Sequence, residues 1–140
     1  MKILVAVDGS PYSKRMLAYL AAHDEWLGAQ QTYTVLTVVA PLPSRAATAL
    51  PKDVLKSHYA EEAEHVLKPI RTFFSRQGLT ADFTVKTGPI AESIAALAEK
   101  GKFDLLMMGS HGHSPLGNLV LGSVATKVMA RCSTPVLLVR

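Results

Sequence analysis

At 140 residues the chain has the length of one domain, enough to bury about two-thirds of the surface that its unfolded form exposes. Its 49% hydrophobic and 19% charged residues exclude a disordered chain, and a net charge of +4 with no run of Lys or Arg speaks against a nucleic-acid surface. A single cysteine, Cys132, excludes an internal disulfide and suits a reducing compartment.

Met1-Lys2 leads straight into an apolar stretch with no signal-peptide pattern, and no apolar run approaches the ~20 residues of a membrane span. The expectation is a soluble cytoplasmic protein without a membrane or nucleic-acid partner.

Residues 2–7, Lys-Ile-Leu-Val-Ala-Val, read as a strand covered on both faces. Ser10 is a natural N-cap and Pro11 fits the first helical position. Met16, Leu17, Leu20, Ala21 and Leu27 then recur at helical spacing until Gly28 stops the helix. Residues 32–40 are rich in β-branched side chains and form a second strand. Residues 41–50 carry two prolines and no period, which predicts a loose surface flap.

The longest helix starts near Pro51 and ends at Gly78, with Leu55, Tyr59, Ala63, Val66, Leu67, Ile70, Phe73 and Phe74 as its inner face. Pro69 should kink or split it near Lys68. Residues 81–87 alternate as a half-exposed edge strand, with Phe83 and Val85 on one face. Gly88-Pro89 opens another helix, whose Ile90, Ile94, Leu97 and Ala98 face inward before Gly101.

Leu105-Leu106-Met107-Met108 is long enough for one buried strand. A loop holding Gly109, Gly112, Gly117 and Gly122 follows, then a helix from about Gly122 to Cys132 and a last strand at 136–139. Strands and helices thus alternate, five and four in number, as in an α/β domain with a parallel sheet and right-handed crossovers.

Strand, glycine-rich loop and helix start together offer backbone N–H groups to a phosphate: glycines allow close approach, and the helix N-terminus adds free donors and the positive end of a dipole. The spacing is Gly109, two residues, Gly112, nine residues, Gly122 and Ser123. Gly112-x4-Gly117 has the spacing of a P-loop, but Asn118 and Leu119 stand where Lys and Ser/Thr are needed, so that reading fails.

This spacing, the opening Val5-Ala6-Val7-Asp8-Gly9-Ser10 and the closing Pro135-Val136-Leu137-Leu138-Val139 resemble the ATP-binding branch of the universal stress protein family over the whole chain. The resemblance implies a Rossmann-like sheet of order 3-2-1-4-5 with helices on both faces. The ends of the first and fourth strands then meet at the crevice where ligands of open α/β sheets bind. It also implies that the end of the first strand and Val38 hold an adenosine, that the glycine loop holds phosphates, and that subunits pair through the last strand.

The expected nucleotide-binding residues are Ala6, Asp8, Val38, Met108, Gly109, Gly112, Gly122, Ser123 and Val124, with ATP as ligand and Mg²⁺ balancing the triphosphate. Asp8 can accept from a ribose hydroxyl or an adenine amine, and Ala6, Val38 and Met108 offer apolar surface to a base. Plainer roles fit some of the same residues. Asp8 suits a turn that caps the first helix, Gly109 and Gly112 suit a bare turn, Ser123 suits an N-cap, and any second strand would bury Val38. His111 and His113 suit the pocket rim or solvent, since no Cys cluster accompanies them for zinc. His23, His58 and His65 suit solvated helix faces, and Cys132 an inert, partly buried thiol.

No Lys or Arg lies between Lys102 and Lys127, so the cradle lacks the cationic clamp that phosphoryl transfer uses. The favoured reading is a nucleotide-binding sensor or regulator of the stress response with no catalytic residues and no protein metal site. A slow ATPase or nucleotide-dependent transferase is the alternative, with His111 the one plausible base, and an empty dimerisation scaffold is a third. The apolar edge strand Val136, Leu137, Leu138, Val139 invites a homodimer. A further protein partner is expected, its identity unknown.

Overall fold

The computed structural model describes residues 1–114 and 120–140. Gly117, Asn118 and Leu119, on which the exclusion of a P-loop rests, lie outside the described residues.

Five parallel strands run in the order β3-β2-β1-β4-β5, with β1 Lys2–Ala6, β2 Thr32–Val39, β3 Ala81–Thr87, β4 Leu105–Gly109 and β5 Val136–Val139. This is the predicted order. β1 is central, with Val5 opposite Val35 on one side and Met107 on the other. Its side chains alternate between two cores, as the two-residue period of a strand requires. Ile3, Val5 and Val7 pack with Met16, Leu17 and Leu20 of α1 (Pro11–Ala22) and with Leu67, Ile70 and Phe74 of α4 (Lys52–Arg76). Leu4 and Ala6 pack on the other face with Ala91, Ile94 and Ala98 of α5 (Ile90–Lys100) and with Ala125 and Val128 of α6 (Ser123–Arg131). Helices therefore cover both faces, which explains why β1 reads as a continuous apolar run.

Four local expectations are corrected. The first helix does not reach Gly28; it stops at Ala22, and α2 (Asp24–Leu27) follows. His23 makes the break: its ring stacks on Tyr19 and its Nδ1 lies 2.8 Å from the Tyr19 carbonyl, an alternative to continuing the helix. Residues 41–50 are not simply a loop, because Ser44–Ala49 forms the short helix α3. Of the kink or split expected at Pro69, the split is overturned: α4 runs unbroken for 25 residues through the proline. Leu67, Ile70 and Phe74 lie buried around the proline, and their anchorage outweighs the one hydrogen bond that proline removes. In α5 the inner face is Ala91, Ile94, Ala95 and Ala98, while Ile90 is exposed at its start. The described residues thus hold the four expected helices and two short ones.

Tyr33, at the start of β2, is buried, and its hydroxyl donates to the carbonyls of Leu27 and Gly28, which closes the end of α2. Burial pushes the Tyr33 phenol up to about 12. Among the described residues, no helix is long and apolar enough to cross a membrane.

Candidate functional site

β1 ends at Ala6, and Gly9 then takes φ 78°, the left-handed conformation that turns the chain into α1. Asp8 holds this turn. Its Oδ1 accepts from the Ser10 amide at 2.9 Å and from Ser13 Oγ at 2.9 Å, while its own amide donates to Ser13 Oγ at 3.1 Å. Asp8 is therefore a turn residue, as the plainer reading held. Its other oxygen, Oδ2, lies toward the glycine loop, 2.8 Å from where a Cβ on Gly112 would stand.

The loop begins one strand away. At Gly109 a Cβ would stand 2.6 Å from Tyr12 Cβ, so the end of β4 and the first turn of α1 touch only because the residue is glycine. Ser110, fully buried, donates its amide to Val139 at 2.8 Å and accepts the Gly122 amide at 2.7 Å. That second bond brings the start of α6 back beside the end of β4. Gly122 is the N-cap of α6, with no side chain to occupy the free amides of the first turn. Those amides and the helix dipole are the donors that an anion would meet.

Two histidines fasten the loop. His113 Nε2 donates to the Asp8 carbonyl at 2.7 Å. His111 Nδ1 lies 2.8 Å from Ser110 Oγ, and its ring sits 4.9 Å from that of Tyr12.

These pieces wall a cavity of about 650 Å³, within the range of small-molecule sites. All nine expected residues line it: Ala6, Asp8, Val38, Met108, Gly109, Gly112, Gly122, Ser123 and Val124. His111 and His113 line it as well, in agreement with a place at the rim. The sequence reading missed the wall that α4 contributes. His58, Glu62 and Val66 recur every four residues beside the core-facing stripe of that helix and face the cavity, so His58 is not simply solvated. Ala40 and Leu42 close the side next to β2, and Tyr59 Oη accepts the Leu42 amide at 2.9 Å. Among the described residues no cluster of three or more His, Cys, Asp or Glu could hold a metal ion.

A profile of the universal stress protein family matches residues 1–140. The chain belongs to the universal stress protein family. A universal stress protein of Thermus aquaticus is 35% identical over 140 residues, which cover 99% of this chain and 97% of that one. Universal stress protein Slr1230 of Synechocystis is 30% identical over 139 residues; this chain, covered to 99%, spans 42% of its length. Among solved structures, MJ0577 superposes with a TM-score of 0.81 at 27% identity, covering 99% of this chain and 94% of that one. An Arabidopsis thaliana universal stress protein with AMP bound has a TM-score of 0.70 at 17% identity, over 99% and 90% of the two chains.

Proposed function

We propose that this universal stress protein is a regulatory module that binds an adenine nucleotide, ATP included, in the cavity at the ends of β1 and β4. The supporting observation is the convergence of a backbone cradle and an apolar slot in one cavity. Gly112, Gly122 and Ser123 supply the cradle; Ala6, Val38 and Met108 supply the slot. The AMP held by the Arabidopsis protein of the same fold is in keeping with it.

The residues present suit such a ligand. A side chain at Gly112 would press on the Asp8 carboxylate, and one at Gly122 would come within 3.1 Å of His111 Cα, so the cradle is open because both are glycine. The base would lie against Val38 and Met108, the ribose near Asp8 Oδ2, and the phosphates at the first turn of α6. Mg²⁺ would travel with the phosphates, since the described residues of the lining offer it no cluster of three or more ligands. The described lining offers no Lys or Arg to clamp the phosphates as charge shifts during transfer, so holding is favoured over cleavage.

Mass spectrometry of the nucleotide that co-purifies, followed by calorimetric titration with AMP and ATP, tests the reading. Protein that carries no nucleotide and takes none up overturns it, and turnover abolished by Gly122→Val would favour the slow ATPase.

The same reading makes the protein a cytoplasmic homodimer. β5 ends the sheet order and its four residues are all only half-buried, which leaves an apolar edge for a second copy.

A further inference from the structure

The chain carries a net charge of +4, yet none of its described Lys or Arg residues lines the cavity. Its lining contains two carboxylates, Asp8 and Glu62, three imidazoles, His58, His111 and His113, and no Lys or Arg among the described residues. The five residues left undescribed, Pro115 to Leu119, carry no charge in the sequence either. The ion pairs of the described residues, Arg71 with Glu64 and Arg131 with Glu92, lie elsewhere, and neither Asp8 nor Glu62 forms one.

Glu62 lines the same cavity as Asp8, from the α4 wall. Val66, one helical turn further along the same stripe, lies 3.5 Å from where a Cβ on Gly9 would stand. The stripe that carries Glu62 therefore reaches the turn where β1 passes into α1, and both carboxylates line the one cavity. Gly112, within the loop proposed to hold the phosphates, faces the Asp8 carboxylate: a Cβ there would stand 2.8 Å from Asp8 Oδ2. A phosphate tail laid along that loop meets neutral donors at one end and two negative charges beside it.

Resting on the proposed nucleotide site, we infer that Glu62 and Asp8 make the cavity select nucleotides by phosphate charge. Monophosphates enter freely, and a triphosphate enters well only after a divalent cation has neutralised part of it. The backbone amides are open to the first phosphate of either ligand. Each further ionised oxygen adds repulsion from the carboxylates and gains no cationic partner, so the penalty grows with phosphate number. Glu62 is the specificity-determining residue, because Asp8 is also needed for the turn.

The test titrates the full chain with AMP and with ATP at low ionic strength, first in EDTA and then with excess Mg²⁺. AMP should bind at least about tenfold more tightly than metal-free ATP, and the gap should shrink with Mg²⁺ and with added salt. Glu62→Gln should narrow the metal-free gap about threefold and Glu62→Lys should narrow it further, while Glu61→Gln, outside the cavity lining, leaves it unchanged. Glu62 is exposed, so circular dichroism should show all three variants folded. Metal-free ATP binding as tightly as AMP, or a gap indifferent to Glu62→Lys, overturns the inference and leaves the nucleotide site standing. Failure of both nucleotides to bind overturns the site itself.

Discussion

His113 Nε2 donates to the carbonyl of Asp8 across 105 positions of chain, and this one bond ties the glycine loop to the turn that ends β1. The bond is exposed, so its net contribution to stability is about 1 kcal/mol or less. Its importance is positional. His113→Ala should leave the urea midpoint nearly unchanged yet weaken AMP binding several-fold, and His113→Gln, which keeps a donor, should recover part of the loss. A calorimetric titration of the two variants checks this.

Glycine variants should separate fold from ligand. Gly109→Ala drives a Cβ into Tyr12, backbone included, and should cost about 1–3 kcal/mol in a denaturant melt. Gly112→Ala meets the Asp8 carboxylate, which can turn aside, and should retain the fold while losing affinity for nucleotide.

Tyr33 sets an alkaline limit. With the folded phenol pushed up to about 12, the unfolded chain loses that proton first, at the ordinary tyrosine value of 10.0. Stability contributed by Tyr33 is thus complete below about pH 10 and declines progressively up to about pH 12. Tyr33→Phe should remove this dependence while costing about 1–2 kcal/mol at neutral pH, since two carbonyls lose their donor. Thermal melts across that window decide the matter.

Glu99 sets a weaker acid limit. The amide of Ser133, with help from its hydroxyl at 2.8 Å, holds the Glu99 carboxyl below its usual range. A depressed carboxylate stabilises the fold above its unfolded value, and the benefit fades as pH falls through the folded value. Glu99→Gln should melt below the parent at pH 7, and the difference should close on acidification.

The proposed homodimer rests on β5. Leu138→Lys should give a monomer by sedimentation, with circular dichroism to check the fold, because Leu138 also packs against the core that Leu106 and Ala125 share. An unchanged dimer mass with the fold intact would place the interface elsewhere.

The sheet was legible because four strands have their own apolar or β-branched runs, β3 its two-residue alternation, and each crossover its own helical period. The glycines at the end of β4 were legible because a Cβ at Gly109 or Gly122 would press on backbone atoms and one at Gly112 on the Asp8 carboxylate. What escaped lay where tertiary contact overrides local preference. Nothing in the pattern around His23 marks a helix break, since the cause is its ring meeting the Tyr19 carbonyl. Pro69 reads as a breaker until Leu67 and Ile70 are known to be pinned on either side of it. His58 and Glu62 look like ordinary solvated positions, because hydropathy marks which helix face is buried and not which flank overlooks a cavity. The four-residue spacing of 58, 62 and 66 beside the inner stripe was the available signal.

The parts of the cavity are remote in sequence: Asp8 opens it, and Ser123 and Val124 complete it from the far side of β4. No local segment can assemble that grip, so occupancy is a readout of the whole sheet being closed. Any nucleotide that binds would therefore act as a quality mark on the finished molecule, shielding the native ensemble by mass action and leaving half-formed chains without protection.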